Sequence, residues 1–275
     1  MKKGFIFFFI ALLIIFISQS FAQFAPEELA ERPRWEKFLQ EAKIISYSKD
    51  FSEREAVTEP WTLTLEKDGV SRRALWKNPE GRFKGFLDNW RCEIAAYRLD
   101  KLLGLNMVPP TVEKIFQGNR GSCQLMIENV INLRQKEEQK IQTPSHRVFP
   151  LNRATYLQRA WDNLTANPDR IMGDILYTQD WRMLLCDHSR AFLSSRIYTK
   201  KLIFDEKYKG GPKLMKQIPK AFVEKLTTLN FKLIQEAVGD YLTDKEIEAV
   251  LIRRDLILDW LDKRIKKLGA DKVLY

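Results

Sequence analysis

The chain has 275 residues, 45% apolar and 30% charged, with 12 Gly and 11 Pro, which is globular composition and excludes a disordered or collagen-like polymer. Three Cys exclude a disulfide scaffold and a Cys-rich zinc module, and only two His (His146, His188) argue against a His-based metal centre. The net charge of +10, from 46 basic and 36 acidic residues, is spread along the chain and reads as a solvated basic surface rather than a nucleic-acid groove.

Lys2 and Lys3 precede an unbroken apolar run from Phe5 to Ile17, and Ser20-Phe21-Ala22 follows as a small-x-small cleavage site. The run is short for a membrane span, which needs about 20 residues. Residues 1–22 are therefore expected to be a signal peptide, with an uncleaved anchor as the alternative. Cleavage before Gln23 removes two Lys and no acid, lowering the charge from +10 to +8. The mature chain is expected outside the cytoplasm, secreted or periplasmic. It meets a membrane only if the segment stays uncleaved. Cys92, Cys123 and Cys186 can form at most one bond within the chain, and buried free thiols are the default.

Residues 23–43 read as a helical surface extension, started near Pro26 and kinked at Pro33. Ile44–Tyr47 is a short strand. Trp61–Glu66 alternates with period two, Lys67-Asp68-Gly69 is a hairpin turn, and Val70–Lys77 is the returning strand. A helix is expected from about Phe86 to Leu103, with Phe86, Trp90, Ile94 and Tyr97 on one face and Gly104 as its C-cap. Val112–Phe116 and Gln124–Ile127 are strands around a turn at Gln117–Gly121. Asn132–Pro150 is a polar loop with helical pieces, and Ala154–Thr165 is a helix. Ile175–Tyr177 and Trp181–Cys186 form a hairpin through Thr178-Gln179-Asp180. The remainder is helical: 219–229, 231–238, and a segment opened by a Thr243/Glu246 capping box that ends near Leu268. Strands dominate the first half and helices the second, so an α+β chain of two lobes is expected: a strand-rich lobe over 44–129 and a helical lobe over 130–275.

The chemistry concentrates in the segment Asn167-Pro-Asp-Arg-Ile-Met-Gly-Asp174 and in Asp187, which ends the apolar run Met183–Cys186. Pairing Tyr177 with Trp181 would set Asp187 opposite Ile171, so that Asp169, Asp174 and Asp187 converge within roughly 10 Å. Converging carboxylates call for a divalent cation, and hard oxygen ligands select Mg²⁺ or Mn²⁺. Lys77 ends a strand and Glu93 lies on the next helix. A strand Lys paired with a helical Glu would present the Lys to nucleotide phosphates. Arg170 is expected to brace its loop through an acid, Asn167 to turn the chain or orient Asp169, and His188 to be structural. Asn163-Leu-Thr165 is a glycosylation sequon inside a predicted helix.

This layout resembles the protein-kinase-like superfamily. It is closest to its atypical branches: phosphatidylinositol 3-/4-kinases, HipA-like kinases and secretory-pathway kinases of the Golgi casein kinase type. Asp169-Arg170 with Asp174 matches their catalytic loop. Leu184–Phe192 looks like their metal-binding strand end, Glu93–Pro110 like their Glu-bearing helix, and Gly121–Glu128 like their strand into the hinge. The run of motifs also resembles exported bacterial proteins of this architecture. The resemblance covers about 41–275. It implies a two-lobed kinase-like fold using ATP with Mg²⁺ or Mn²⁺. It implies Lys77, Glu93 and Glu128 at the nucleotide, Asp174 and Asp187 at the metal, and Asp169 as catalytic base toward a protein, sugar or lipid hydroxyl. Two departures stand: those branches place Asn where Asp174 stands, and Tyr47–Trp61 contains no Gly for a phosphate loop. Alternatives are a nucleotide-binding pseudokinase without turnover and transfer of AMP instead of phosphate.

Overall fold

The computed structural model describes residues 24–49, 60–83, 86–204 and 215–275. The expected signal peptide and the Gly-poor stretch at 50–59 lie outside them. Two short helices open the fold, α1 (Pro26–Ala30) and α2 (Arg32–Glu41). Pro33 sits in the first turn of α2, where a missing N–H costs nothing, so it starts a helix instead of kinking one. Strands β1 (Lys43–Lys49), β2 (Trp61–Lys67) and β3 (Val70–Lys77) follow. The β2–β3 turn places Asp68 and Gly69 at φ 51° and 74°, the pair of positive angles that a tight hairpin demands.

The helix expected from Phe86 begins later. Residues Phe86–Asn89 are strand β5, paired with β4 (Glu80–Phe83), and α3 runs Arg91–Leu103. Asn89 marks the switch, because its side-chain oxygen accepts the Arg91 N–H at 2.9 Å. Gly104, at φ 68°, closes α3 as expected. Strands β6 (Thr111–Phe116) and β7 (Asn119–Leu125) flank a two-residue turn at Gln117-Gly118. Gly121 is therefore strand, not turn. A Cβ there would lie 2.6 Å from both the Lys77 carbonyl oxygen and the Trp76 ring. Glycine is needed for close packing.

The antiparallel sheet of this half has the order β1-β2-β3-β7-β6. Its outer face carries Leu63, Leu65, Ala74, Trp76, Val112, Cys123 and Leu125, and α2 covers them with Phe38 and Leu39. The N-terminal extension is thus a structural layer and not a surface appendage. Lys114 fastens it, donating to the carbonyls of Leu39 (2.8 Å), Gln40 (3.2 Å) and Ala42 (2.9 Å) at the end of α2.

The second half continues with β8 (Ile131–Asn132), α4 (Leu133–Glu138) and α5 (Ser145–Thr165). Helix α5 starts nine residues earlier than its apolar pattern suggests and contains Pro150. Then come β9 (Ile175–Tyr177), β10 (Met183–Leu185) and α6 (Arg196–Thr199). The last helices are α7 (Lys220–Thr228), α8 (Phe231–Val238), α9 (Asp244–Leu268) and α10 (Ala270–Val273). The Thr243/Glu246 capping box opens α9 as read from the sequence. The main core is built by α5, α9, β9 and β10 together with Ala95, Ala96 and Leu99 of α3. Helix α3 therefore packs into the second core while presenting Glu93 toward Lys77 of the sheet. Among the described residues no helix is long and apolar enough to cross a membrane. Cys92, Cys123 and Cys186 are all free, the first two buried.

Candidate active site

The β3 strand delivers Lys77 at its last residue, on the sheet face opposite Trp76 and level with Ser122 of β7. The side chain is 6% exposed and its ammonium lies 2.9 Å from Glu93 Oε1 and 3.0 Å from Asp187 Oδ1. Glu93, in the first turn of α3, is 3% exposed. Its other oxygen accepts the backbone N–H of His188 at 2.9 Å. One cation thus joins the sheet, α3 and the segment after β10. Burial lowers the Lys77 pKa, but the charges of Asp187 and Glu93 outweigh it and hold the ammonium protonated. Burial likewise pushes Asp187 up, and Lys77 and the Ser189 hydroxyl pull it well below the usual carboxylate range.

The hairpin register differs from the expected one by two residues. Tyr177 pairs with Met183, not Trp181. Trp181 takes φ 65° and donates its N–H to Thr178, so it belongs to the turn. Register then carries Cys186 to Asp174, whose carbonyl accepts the Cys186 N–H at 3.0 Å. Asp187 is the next residue, at φ 56°, and 44% of its side chain stays open to solvent. Asp174 is 7% exposed, and its carboxylate accepts the Ile171 N–H at 3.0 Å. Burial, then the charge of Asp187, raises its pKa far above the ordinary carboxyl range.

Asp169 sits in the loop after α5, its N–H donated to Asn167 Oδ1 at 3.2 Å. Its carboxylate turns to Arg190, 2.7 Å from Nη1. The three acids therefore do not crowd one ion: Asp187 turns to Lys77 and Asp169 to Arg190. Among the described residues no three His, Cys, Asp or Glu converge as a metal centre. Asp174 and Asp187 remain as a pair of neighbouring carboxylates. One or two carboxylates with nucleotide phosphates and waters is the usual holding of Mg²⁺. The buried, like-charged setting of Asp174 is chemistry that a cation would relieve, so the donor set fits one.

Arg170 braces the loop as expected, and the acid it uses is Asp162 of α5, 2.9 Å away and fully buried. The same guanidinium donates to the carbonyls of Cys186 and Asp187 and contacts His188 Nε2 at 2.9 Å. His188 also accepts from Trp161 Nε1 at 3.1 Å. Burial and Arg170 lower its pKa well below normal, so it stays neutral and structural. Asn163 is buried, with its amide bonded to both backbone groups of Phe204, so this sequon is closed to modification in the fold. Glu128 is exposed, in the turn after β7. It lines a separate cavity of about 170 Å³ with Phe24, Arg32, Trp35 and Met126.

Sequence reasoning passed over Asp88 of β5, Asp162, Ser189 and Arg190. Arg190 stands three residues after Asp187 within a motif already singled out, but nothing local showed its partner. Asp88 lies in the stretch misread as helix.

No protein-family model and no curated protein matches the sequence. Solved structures do. Hydra Fam20 with sugar is 14% identical, with TM-score 0.65 over 93% of this chain and 95% of that one. The Golgi casein kinase is 14% identical at TM-score 0.60, over 93% of this chain and 80% of that one. The same kinase with Mn/ADP bound is 14% identical at TM-score 0.63, with the same coverage. The chain has the two-lobed α+β, kinase-like fold of these structures.

Proposed function

We propose that this two-lobed kinase-like fold is a phosphotransferase, dependent on ATP and on Mg²⁺ or Mn²⁺, acting on a hydroxyl outside the cytoplasm. The observation that carries the reading is the buried Lys77 between Glu93 and Asp187. A structural salt bridge needs one acid. Here a second, solvent-open carboxylate shares the ammonium, which is the arrangement needed where a metal-bound phosphate is to be received. The neighbour solved with Mn/ADP supports the same ligands for this chain.

In this reading Lys77 holds the nucleotide phosphates and Glu93 orients Lys77. Asp174 and Asp187 hold the cation, which supplies neutralisation of charge on the transferring group. Asp169 accepts the proton of the acceptor hydroxyl. Burial, opposed by Arg190 and aided by the charge of Asp187, raises the Asp169 pKa from its ordinary value, which suits a base. The Glu128 segment after β7 would meet the adenine through backbone groups in this assignment, since the Glu128 side chain lines the separate cavity. The acceptor is a protein, sugar or lipid hydroxyl. The expected signal peptide carries the extracytoplasmic assignment.

A second reading rests on Asp174: a buried carboxyl where an amide is the kinase norm favours a nucleotide-binding module without turnover. Labelled ATP separates the cases. Transfer of the γ-label to protein, sugar or lipid acceptors, lost in Asp169→Asn, supports the phosphotransferase. Transfer of the α-label means nucleotidyl transfer. Binding with neither label transferred means a module without turnover.

A further inference from the structure

We propose that Arg190 is the positioning residue of the Asp169 carboxylate and that Asp88, on β5 of the other lobe, anchors it. The inference rests on the role given to Asp169 above. Arg190 Nη1 meets Asp169 Oδ2 at 2.7 Å, and Nε meets both oxygens of Asp88 at 3.0 and 3.2 Å. The two ends differ in setting. Asp88 is 1% exposed, whereas 44% of the Asp169 side chain faces solvent. A guanidinium is planar and rigid, so fixing one edge fixes the other. The buried edge is the anchor and the open edge is the working end.

Two further links bind the same pieces. The Ser189 hydroxyl lies 2.9 Å from Asp88 Oδ1 and 3.1 Å from Asp187 Oδ1. The Asn89 N–H donates to the Ser189 carbonyl at 2.9 Å. Strand β5 is thus stitched to the Asp187–Arg190 segment by backbone and side chains together. An exposed Arg–Asp pair alone would be worth little. The desolvated Asp88 end gives this one a fixed geometry. Arg190 engages Oδ2 of Asp169 and leaves Oδ1 as the freer oxygen for a proton. Asp88 touches no reacting group and acts through Arg190.

The test uses the purified protein and the variants Asp88→Asn, Arg190→Gln, Arg190→Lys and the double Asp88→Asn/Arg190→Gln. With ATP and Mn²⁺, kcat is expected to fall about 10- to 100-fold in the first two, a part of the effect of a base. KM for ATP stays within about twofold, since neither residue is assigned to the nucleotide. Arg190→Lys recovers part of the loss, and the double variant is no worse than either single one, as for residues that act as a unit. A second readout needs no turnover: carbodiimide labelling of Asp169, followed by peptide mass spectrometry. Labelling rises several-fold in Asp88→Asn and Arg190→Gln while Asp180 is unchanged, which excludes general unfolding. If Asp88→Asn leaves both kcat and Asp169 labelling at the wild-type level, or raises KM alone, the proposal is overturned. If the wild-type chain does not turn over ATP, the functional reading falls, and the labelling arm alone then decides whether Asp88 holds Asp169 through Arg190.

Discussion

Lys77 cannot be removed without stranding two acids. Lys77→Met leaves Glu93 buried and unpaired, and breaking a buried pair from one side costs about 3–5 kcal/mol. Chemical denaturation should show a loss of that order, and Lys77→Met/Glu93→Gln should recover part of it. No recovery would mean that the loss lies in packing. Gly121 faces a different limit. A methyl group there meets the Lys77 carbonyl and the Trp76 ring at 2.6 Å. Gly121→Ala should cost about 1–3 kcal/mol by overpacking. It should also weaken nucleotide binding, because the strand that carries Lys77 must give way. At this scale the sequence pointed to charged side chains that the fold does bury and pair. The pairing of Lys77 with Glu93 was legible because a strand end and a helix face fix direction, whereas the sequence set Asp187 beside Asp169 and Asp174 and not against Lys77. Asp88 and Arg190 were not, because 102 residues separate them and only the fold brings them together.

Helix α2 shows what single interactions do for an element. Its terminal carbonyls have no partners within the helix, and Lys114 supplies three hydrogen bonds. Lys114→Met keeps the length of the chain and removes the donor, so it should cost about 2 kcal/mol. Hydrogen exchange should rise first in α2. The other end of α2 is tied by buried Arg32 to Asp100 of α3, 3.6 Å apart. Burial, only partly opposed by Arg32, pushes the Asp100 pKa up to about 7, against an ordinary 3.8. The folded protein therefore holds this proton to higher pH than the unfolded chain does. The stability it contributes is complete below about pH 4 and is lost as pH rises to about 7. Asp100→Asn should flatten that decline in denaturation measured across the interval. An unchanged slope would contradict the assignment. Hairpins and caps were legible here, since Asp68-Gly69 and Thr243/Glu246 act within four residues. The start of α3 and the turn at Trp181 were not. In both, apolar residues matched the expected period while strand pairing and local hydrogen bonds, at Asn89 and around Thr178, set the boundary.

The described residues form two apolar cores, one between α2 and the sheet and one shared by α3 with the helical half. The residues proposed for the site come from both halves: Lys77 from the sheet, Glu93 from α3, and Asp169, Asp174 and Asp187 from loops of the second half. The order of strands before helices made the two-lobed fold readable from sequence. The allegiance of α3 was hidden, because an amphipathic face does not say which core it enters. The partition predicts that a ligand bridging Lys77 and Asp187 stabilises both halves together. Thermal unfolding with and without ATP and Mn²⁺, beside Asp187→Ala, measures this most directly. Binding to the folded state raises the midpoint by mass action. A metal-dependent rise that disappears in Asp187→Ala is the predicted result, and no shift with ATP or ADP in the presence of either Mg²⁺ or Mn²⁺ would contradict the nucleotide site.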